Sequence, residues 1–333
     1  MVKCSFCDKP AVYINKVNGK AYCKKHFLEY FDHKVRKTIR KYRMFDKKEH
    51  IVVAVSGGKD SLSLLYFLNK LSKKVPGWKI SALLIDEGIK GYREYTIKDF
   101  LRIVEKLDVP YRIASFKEYF GYTLDEIVAI SREKKLPYLP CSYCGVFRRY
   151  LLNKVAREMG GTVLATAHNL DDIIQTYMMN IIKNSWDKVA RLAPITGVIE
   201  HPKFIKRVKP FYEVLEKETT LYALLNNLLE PVFYECPYVE YNIRVYIRRY
   251  LNELEEEYPG TKYSILKSLL RIIEILKNNP KEITKGTLQT CRVCGEVSSH
   301  PICRSCMYRY ELGIMKLEEE EIVKKVLKEL KIS

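Results

Sequence analysis

The stretch AVSGGKDS, residues 54–61, completes the apolar run IVVAV and precedes the apolar-rich segment SLSLLYFLNKL. Two glycines at such a strand-to-helix junction expose backbone N–H groups where the helix dipole favours an anion. The serines add hydroxyl donors, the lysine adds a cation, and the aspartate is suited to hold Mg²⁺ against phosphates. The stretch therefore predicts a phosphate-binding loop made of Ser56, Gly57, Gly58, Lys59, Asp60 and Ser61.

The spacing of this loop excludes two common nucleotide-binding loops. A Walker loop needs a glycine five residues before its Gly-Lys pair and a Ser or Thr directly after the lysine. Val53 occupies the first of these positions and Asp60 the second. The Gly-x-Gly-x-x-Gly fingerprint of dinucleotide-binding proteins is absent as well.

Strand-like and helix-like segments alternate from Ile51 onward. The predicted strands cover residues 51–55, 79–86, 111–115 and 162–167, and the predicted helices begin at Ser61, cover 94–107, 123–135 and 146–159, and resume at Leu170. This alternation predicts an α/β fold with a Rossmann-like parallel sheet covered by helices on both faces. Ligands in such folds bind at the carboxyl ends of the strands. Residues 185–210 are predicted to be a long loop, and 215–228 and 242–278 to be helical.

The charge of the chain indicates a polyanionic partner. It contains 58 Lys and Arg residues against 40 Asp and Glu residues, a formal net charge of +18. An excess of this size attracts nucleic acid. Arginine pairs beside tyrosines favour an RNA-binding surface, and they are Arg148–Arg149 with Tyr150 and Arg248–Arg249 with Tyr250. The N-terminal residues MVKCSFC include no apolar signal region, and the apolar runs are too short to cross a bilayer. We therefore expect a cytoplasmic protein that has no membrane segment.

The ten cysteines fall into three groups. Two groups repeat the paired-turn spacing that tetrahedral zinc requires, so we expect two structural Zn²⁺ ions. Their predicted ligands are Cys4, Cys7, Cys23 and His26 near the N-terminus and Cys291, Cys294, Cys303 and Cys306 near the C-terminus. Cys141, Cys144 and Cys236 remain, which is one ligand too few for a closed site.

These observations predict five segments. They are an N-terminal zinc knuckle (1–30), a connecting helix (31–50), a catalytic domain (51–280), a C-terminal zinc module (281–310) and a terminal helix (311–333).

The hexapeptide SGGKDS after an apolar strand resembles the PP-loop of the ATP-pyrophosphatase superfamily. Members of that superfamily cleave ATP between its α- and β-phosphates and adenylate a substrate. Four further stretches resemble the tRNA 2-thiouridine synthetases of the TtcA/TtuA type, including the wobble-uridine branch of archaea and eukaryotes. They are IDEGIKGYRE (85–94), CSYCGVFRRY (141–150), ATAHNLDDIIQT (165–176) and FYECPY (233–238). The two zinc modules fit the same family, so the resemblance extends over nearly the whole chain.

The resemblance implies a tRNA sulfurtransferase that adenylates the C2 oxygen of a uridine with ATP and Mg²⁺ and replaces it with sulfur. It implies that the three remaining cysteines hold a 4Fe–4S cluster whose fourth iron is open, so that hydrosulfide bound there is the sulfur nucleophile. Asp172 matches the family's catalytic aspartate, and Arg148 matches a basic residue that acts on ATP or on the activated uridine oxygen. Asp171 is expected to assist Mg²⁺ or the fold.

Three positions are expected to meet adenosine through their backbone, namely Ala54, Ile85 and Ala167. Ala167 departs from the family pattern, which usually has glycine there. A homodimer also follows from the resemblance.

Several alternatives remain open at this stage. A persulfide on Cys141 or Cys144, resolved by Cys236, would replace the cluster. Another adenylating enzyme would share the PP-loop, and a zinc-dependent RNA-binding protein would share the charge. The sulfur donor is either free sulfide or a ubiquitin-like carrier. The target is either the wobble uridine or the T-loop uridine, and IDEGIKGYRE leans toward the wobble branch.

Overall fold

The computed structural model describes residues 2–196, 201, 203–230, 234–239, 243–278 and 288–330. Its strands are β1 (Tyr13–Ile14), β2 (Ala21–Tyr22), β3 (Glu49–Ala54), β4 (Trp78–Asp86), β5 (Tyr111–Ser115), β6 (Val163–Ala165), β7 (Ile195–Thr196), β8 (Lys206–Val208), β9 (Gln289–Thr290) and β10 (Val297–Ser298). The helices up to the middle of the chain are α1 (Lys24–Lys41), α2 (Lys59–Ser72), α3 (Arg93–Leu107), α4 (Phe116–Phe120), α5 (Leu124–Glu133) and α6 (Pro140–Glu158). Those that follow are α7 (Leu170–Ile182), α8 (Trp186–Val189), α9 (Glu216–Leu225), α10 (Arg244–Glu257), α11 (Thr261–Asn278), α12 (Arg304–Leu312) and α13 (Leu317–Glu329).

The central sheet has six strands in the order β5-β4-β3-β6-β8-β7, and all neighbours are parallel except β7, which is antiparallel to β8. Residues Ile51, Val52 and Val53 of β3 are completely buried. Such a continuous apolar run is typical of a strand that is covered on both faces. The predicted α/β fold is therefore confirmed.

The strand order creates a crevice at the centre of the sheet. From β3 the chain proceeds outward through β4 and β5, and it then returns to the other side of β3 to form β6 and β8. Val53 of β3 pairs with Ala165 of β6, so the segments that follow these two strands leave the sheet side by side. Ligands of open α/β sheets bind at such a switch point. The predicted phosphate loop follows β3 and therefore begins at this crevice.

Three local predictions were wrong. The helix predicted from residue 146 begins at Pro140, because proline is well suited to the first helical position. Residues 185–210 were predicted to be a loop, but they contain β7 and β8, whose two and three residues are too few for a periodic signal. The helix predicted over 242–278 is two helices, α10 and α11, because Pro259 and Gly260 interrupt it and Gly260 adopts a φ of +100°.

The terminal modules pack differently onto the sheet. Tyr13, Tyr22 and Phe27 of the N-terminal module belong to the same core as Ile51 in β3. The C-terminal cysteines form a separate small core with two valines of α13, Val323 and Val326. Tyr308 and Leu312 of α12 join the core on the other face of the sheet. The proposed boundary between residues 310 and 311 therefore runs through a packed unit, while the division into five segments remains a proposal.

Candidate nucleotide and thiol site

The phosphate loop has a backbone that requires glycine at position 57. Gly57 adopts a φ of +84°, and a Cβ atom built there would lie 2.7 Å from the Cβ of Thr96 in α3. Gly58 is the N-cap of α2, so the first N–H groups of that helix face the crevice. The Ser61 hydroxyl donates to the Gly58 carbonyl oxygen (2.9 Å) and accepts from the Ser56 N–H (3.1 Å). The loop is thus held open for an anion before any ligand binds.

Arg93 fixes this loop to the neighbouring strand. Its guanidinium is almost completely buried and donates to the carbonyl oxygens of Ser56 (2.7 Å) and Ile85. Its charge is balanced by the buried carboxylate of Glu87, 2.5 Å away. One side chain therefore ties the start of the phosphate loop to the carboxyl end of β4.

Lys59 and Asp60 lie in a network of charged groups. The Lys59 ammonium contacts the carboxylates of Asp60 (2.8 Å) and Glu216 of α9 (2.9 Å). Asp60 also accepts hydrogen bonds from the side chains of Asn169 (3.3 Å) and Thr219. The nearby carboxylates raise the pKa of Lys59, although burial opposes this, so the lysine is a cation. The network connects α2 to α7 and α9 around the loop.

Asp172 occupies the first turn of α7 beside that network. Its N–H donates to the Asn169 side chain (3.0 Å), and its carboxylate accepts from the Asn169 N–H (3.2 Å) in a capping box. The carboxylate also lies 3.5 Å from Arg244 of α10. Burial, followed by the charge of Asp60, raises the pKa of Asp172 to about 6. Asp172 therefore gains and loses its proton close to neutral pH, as many catalytic acids and bases do.

Asp171 points away from the loop although it is the neighbour of Asp172. One of its carboxylate oxygens accepts the Glu216 N–H (2.7 Å), and the other pairs with the buried ammonium of Lys262 in α11. Both oxygens are therefore engaged in joining α7 to α9 and α11. Of the two expected roles of Asp171, this geometry favours the one in the fold.

The three positions expected to meet adenosine lie at the carboxyl edge of the sheet. Ala54 ends β3, and Ala167 lies two residues past the end of β6. Both are half-buried and border the crevice. Ile85 is buried one strand further out, and its carbonyl oxygen accepts from Arg93. The structure therefore places Ala54 and Ala167 at the crevice and Ile85 in the support beneath it.

The three cysteines left outside the terminal modules converge beside the crevice. Cys141 and Cys144 lie one turn apart at the start of α6, with Cys141 exposed and Cys144 half-buried. The Cys141 thiol lies 3.7 Å from the Tyr238 carbonyl oxygen, and this contact brings the segment containing Cys236 to α6. Tyr238 fixes that segment by donating to Asp125 (2.7 Å). Burial raises the pKa of Cys144 most. The charge of Arg148 opposes this, while the charges of Glu87, Cys141 and Cys236 raise the pKa further, which indicates that the three thiols are neighbours.

This cysteine trio is more widely spaced than the terminal sets. Among the described residues, only the two terminal sets have all their ligand atoms within 4.8 Å of one another. In those sets the Cys7 and Cys23 sulfur atoms are 3.7 Å apart, as are those of Cys294 and Cys303. The terminal sets therefore fit single metal ions. The trio is not among these closely spaced groups, so it does not form a compact single-ion site of the terminal kind.

Arg148 lies between the thiols and the phosphate loop. It is one helical turn past Cys144 on α6, is about half exposed, and has its guanidinium 3.6 Å from Glu87. Glu87 is the same carboxylate that balances Arg93. The buried Glu87 carboxylate therefore connects Arg148, which lies next to the thiols on α6, with Arg93, which holds the phosphate loop.

Further cations that the sequence did not identify line the crevice. The surrounding protein lowers the pKa of His168 although part of its ring is exposed, and the charges of Lys209, Arg148, Arg244 and Arg207 lower it further, to about 3. Lys209 follows β8, is 8% exposed, and donates to the Ala193 carbonyl oxygen. Burial, and then the charge of Arg207, lowers the pKa of Lys209 to about 7. An anion such as ATP entering this recess would meet a strongly positive environment.

The switch-point loop, the cationic recess and the α/β sheet define a nucleotide-binding protein of the PP-loop class. Comparison with known proteins agrees, since the model of the PP-loop domain family matches residues 27–229. This chain belongs to that family.

Relatives of known name match almost the whole chain. A tRNA-5-methyluridine(54) 2-sulfurtransferase from Pyrococcus horikoshii is 38% identical over 308 residues, which cover 92% of this chain and 93% of the relative. The tRNA 2-thiolation protein NcsA from Haloferax volcanii is 32% identical over 316 residues, which cover 92% of this chain and 97% of the relative. The solved structure of the U34-tRNA thiolase NcsA from Methanococcus maripaludis, which contains a 4Fe–4S cluster, superposes with a TM-score of 0.80 at 36% identity over 95% of this chain and 98% of that one. The resemblance to tRNA 2-thiouridine synthetases is thereby confirmed.

Among the described residues, no helix combines the length and the apolar character that crossing a bilayer requires.

The variant Gly57→Ala should lose ATP binding. Its Cβ would collide with Thr96 and force the loop out of the conformation that presents its N–H groups. We expect the dissociation constant of ATP, measured by isothermal titration calorimetry, to increase at least about tenfold. That increase corresponds to the loss of one or more charge-assisted hydrogen bonds.

Gly121→Ala is the matched control for this variant. Gly121 has nearly the same backbone strain, with a φ of +81°, but a Cβ there meets nothing within 4 Å. It should lower stability slightly, by about 1 kcal/mol, and leave ATP affinity unchanged. Equal ATP affinities of the two variants and the wild type would show that the loop does not hold the nucleotide.

Proposed function

We propose that the chain is an ATP-dependent sulfurtransferase that converts a tRNA uridine to 2-thiouridine. The observation that supports this proposal most is that a phosphate-binding loop and a group of three thiols border the same crevice. The phosphate loop after β3 and the cysteine trio at the start of α6 are linked through Glu87, which contacts both Arg93 and Arg148. An activating nucleotide and a sulfur centre thus lie on either side of one arginine.

The first step is adenylation of the uridine. The loop N–H groups, Lys59 and the start of α2 would hold the β- and γ-phosphates. The uridine C2 oxygen attacks the α-phosphorus, a P–O bond to the β-phosphate breaks, and pyrophosphate leaves. In the second step a sulfur nucleophile attacks C2, and AMP departs with the original uridine oxygen. Both steps develop negative charge on oxygen, which positioned cations stabilise.

Arg148 and Asp172 have distinct roles in this scheme. The Arg148 guanidinium is about half exposed on the crevice side of α6, so it can approach the α-phosphate or the uridine oxygen. Asp172, with its raised pKa, can accept the proton that the uridine N3 loses as its C2 oxygen becomes nucleophilic. Lys209 and Arg244 add positive charge to the same recess.

The cysteine trio would hold a 4Fe–4S cluster. The donor set fits that group, since three soft thiols from two segments could bind three of its irons and leave the fourth without a protein ligand. When bound, the cluster would supply an iron without a protein ligand, at which sulfur for the reaction can be held. The chain itself positions the thiols through Pro140 at the start of α6 and through Tyr238.

Mg²⁺ and zinc are the other ions in the proposal. Asp60 is the residue best placed to share Mg²⁺ with ATP phosphates, because it lies on the first turn after the loop. For the terminal sets, Zn–S bonds of about 2.3 Å at a tetrahedral centre put sulfur atoms about 3.8 Å apart. The observed separations of 3.7 Å and 3.9 Å agree with that edge length.

Several properties of the proposed reaction rest on the family. We propose tRNA as the substrate, a cytoplasmic location, a homodimer, and either free sulfide or a ubiquitin-like carrier as the sulfur donor. The relatives named above act on U34 and on position 54. Assays should therefore compare tRNAs that carry a target uridine at only one of these positions.

Asp172→Asn and Arg148→Met should slow the tRNA-dependent release of AMP and pyrophosphate from ATP by at least about a hundredfold. The affinity for tRNA should change less than about threefold, because each residue contributes mainly in the transition state. Asp32→Asn and Arg36→Met in α1, an ion pair of similar exposure away from the crevice, serve as controls. Wild-type protein that forms only ADP and orthophosphate would contradict the proposed function.

The same assay has a predicted pH dependence. The wild-type rate should fall as the pH drops through about 6, because Asp172 becomes protonated and loses its proton-accepting form. The raised pKa also means that ionised Asp172 costs the fold stability above that pH. Asp172→Asn should therefore keep or raise the Tm at pH 7.5 while it abolishes the titration. A lower Tm would identify Asp172 as a structural residue.

Removal of iron should separate the two steps. Protein reconstituted anaerobically should contain iron and absorb visible light, and aerobically purified protein should retain two zinc ions per chain. Iron-free protein and Cys141→Ser should still adenylate the uridine and release pyrophosphate, with AMP released only slowly by attack of water, and should form no 2-thiouridine. Full thiolation by iron-free protein would eliminate the cluster and favour the persulfide mechanism.

A further inference from the structure

One face of α10 exposes large side chains to solvent. Tyr246 is 67% exposed, Tyr250 is 57% exposed and Val245 is 51% exposed. These residues and Arg249 define what we call the α10 outer face. The opposite face of the helix is buried, and its buried residues are Ile247, Leu251 and Glu255. The exposed side chains are therefore not required for the packing of α10.

The chemistry of the α10 outer face suits single-stranded nucleic acid. The Arg249 guanidinium lies over the Tyr246 ring, 5.8 Å from its centroid. Tyr250 follows Tyr246 one helical turn later, so the two residues lie on the same side of the helix. The sequence RVYIRRYL, residues 244–251, contains no acidic residue. Flat rings next to arginines form the platforms on which unpaired bases stack while phosphates contact the cations.

The position of α10 connects this face to the reaction site. From the same helix, Arg244 donates to Thr176 (2.8 Å) and contacts Asp172 (3.5 Å). The charge of Arg248 helps to lower the pKa of Glu216, whose carboxylate pairs with Lys59 of the phosphate loop. Thus α10 borders the crevice, with some of its arginines on the site and the tyrosines directed to solvent.

We propose that the α10 outer face binds the unpaired tRNA nucleotides next to the target uridine by stacking them on Tyr246 and Tyr250. This inference rests on the proposed function and assigns a surface to its substrate. A symmetric contact between two copies of this chain is less suited to the face. A two-fold axis through this face would bring Arg249 close to Arg249 of the second copy, and like charges would repel.

The proposal predicts how tRNA affinity responds to substitution. The double variant Y246A/Y250A should bind tRNA at least about tenfold more weakly, because each lost stacking contact has an effect of roughly that size. Y246F/Y250F keeps both rings and should bind like the wild type. Tyr258→Ala is the matched control, because Tyr258 is 65% exposed just after the acidic end of α10. All variants should keep the wild-type Tm and ATP affinity.

A salt series separates stacking from charge. The slope of log affinity against log salt should decrease by about 0.7 to 1 in Arg249→Ala, since one phosphate contact is lost. In Y246A/Y250A the slope should stay the same while the affinity drops at every salt concentration. Fluorescence anisotropy with labelled tRNA measures both quantities.

Three outcomes would overturn the inference, and they can be told apart. If the wild type thiolates tRNA and Y246A/Y250A binds and thiolates equally well, the face is not the RNA surface although the proposed function stands. If Y246A/Y250A changes the sedimentation coefficient of the free protein, the face is an interface between copies of the chain. If the wild type forms no 2-thiouridine on any tRNA, the proposed function fails and this inference falls with it.

Discussion

The buried ion pair between Arg93 and Glu87 is the interaction on which the geometry of the crevice depends. Arg93 holds the carbonyl oxygens of Ser56 and Ile85, and Glu87 also faces Arg148. Removing the Glu87 carboxylate would leave the Arg93 guanidinium buried without a counter-charge, and breaking a buried ion pair in this way typically costs about 3–5 kcal/mol. The pair therefore keeps the phosphate loop, the end of β4 and the arginine next to the thiols in one fixed arrangement.

The rest of the site follows from where the sheet changes direction. The segments after β3 and β6 leave the sheet side by side at the crevice, and α7 presents Asp172 there while Asp171 anchors α9 and α11. The α6 helix carries the cysteines in its first two turns and Arg148 at the start of its third, so one helix supplies both the thiols and the arginine. Adenylation and sulfur transfer involve the same uridine carbon and oxygen. Because the phosphate loop and the thiols border the same crevice, both steps can take place without moving the uridine.

The sequence was most informative where chemistry restricts the choice of residues. The hexapeptide SGGKDS predicted the loop because glycine and hydroxyl residues are needed there, and the spacing of the cysteines predicted two metal sets. The resemblance distinguished Asp172 from Asp171, but sequence left open whether Asp171 assists Mg²⁺ or the fold, since the direction of its side chain depends on α9 and α11. It also missed Arg93 and Lys209, because the partners that bury them come from distant segments. The three residues of β8 gave no periodic signal, and so the strand that positions Lys209 was predicted to be part of a loop.

The central claim is that the phosphate loop and the thiol site act on one uridine oxygen. The most direct test is to supply tRNA labelled with ¹⁸O at C2 of the target uridine, together with ATP, Mg²⁺ and sulfide under anaerobic conditions, and to analyse the nucleotide products by mass spectrometry. If both sites act on that oxygen, the AMP will carry the ¹⁸O label in its phosphate, in an amount equal to the 2-thiouridine formed. Unlabelled AMP, or ADP in place of AMP, would contradict that claim.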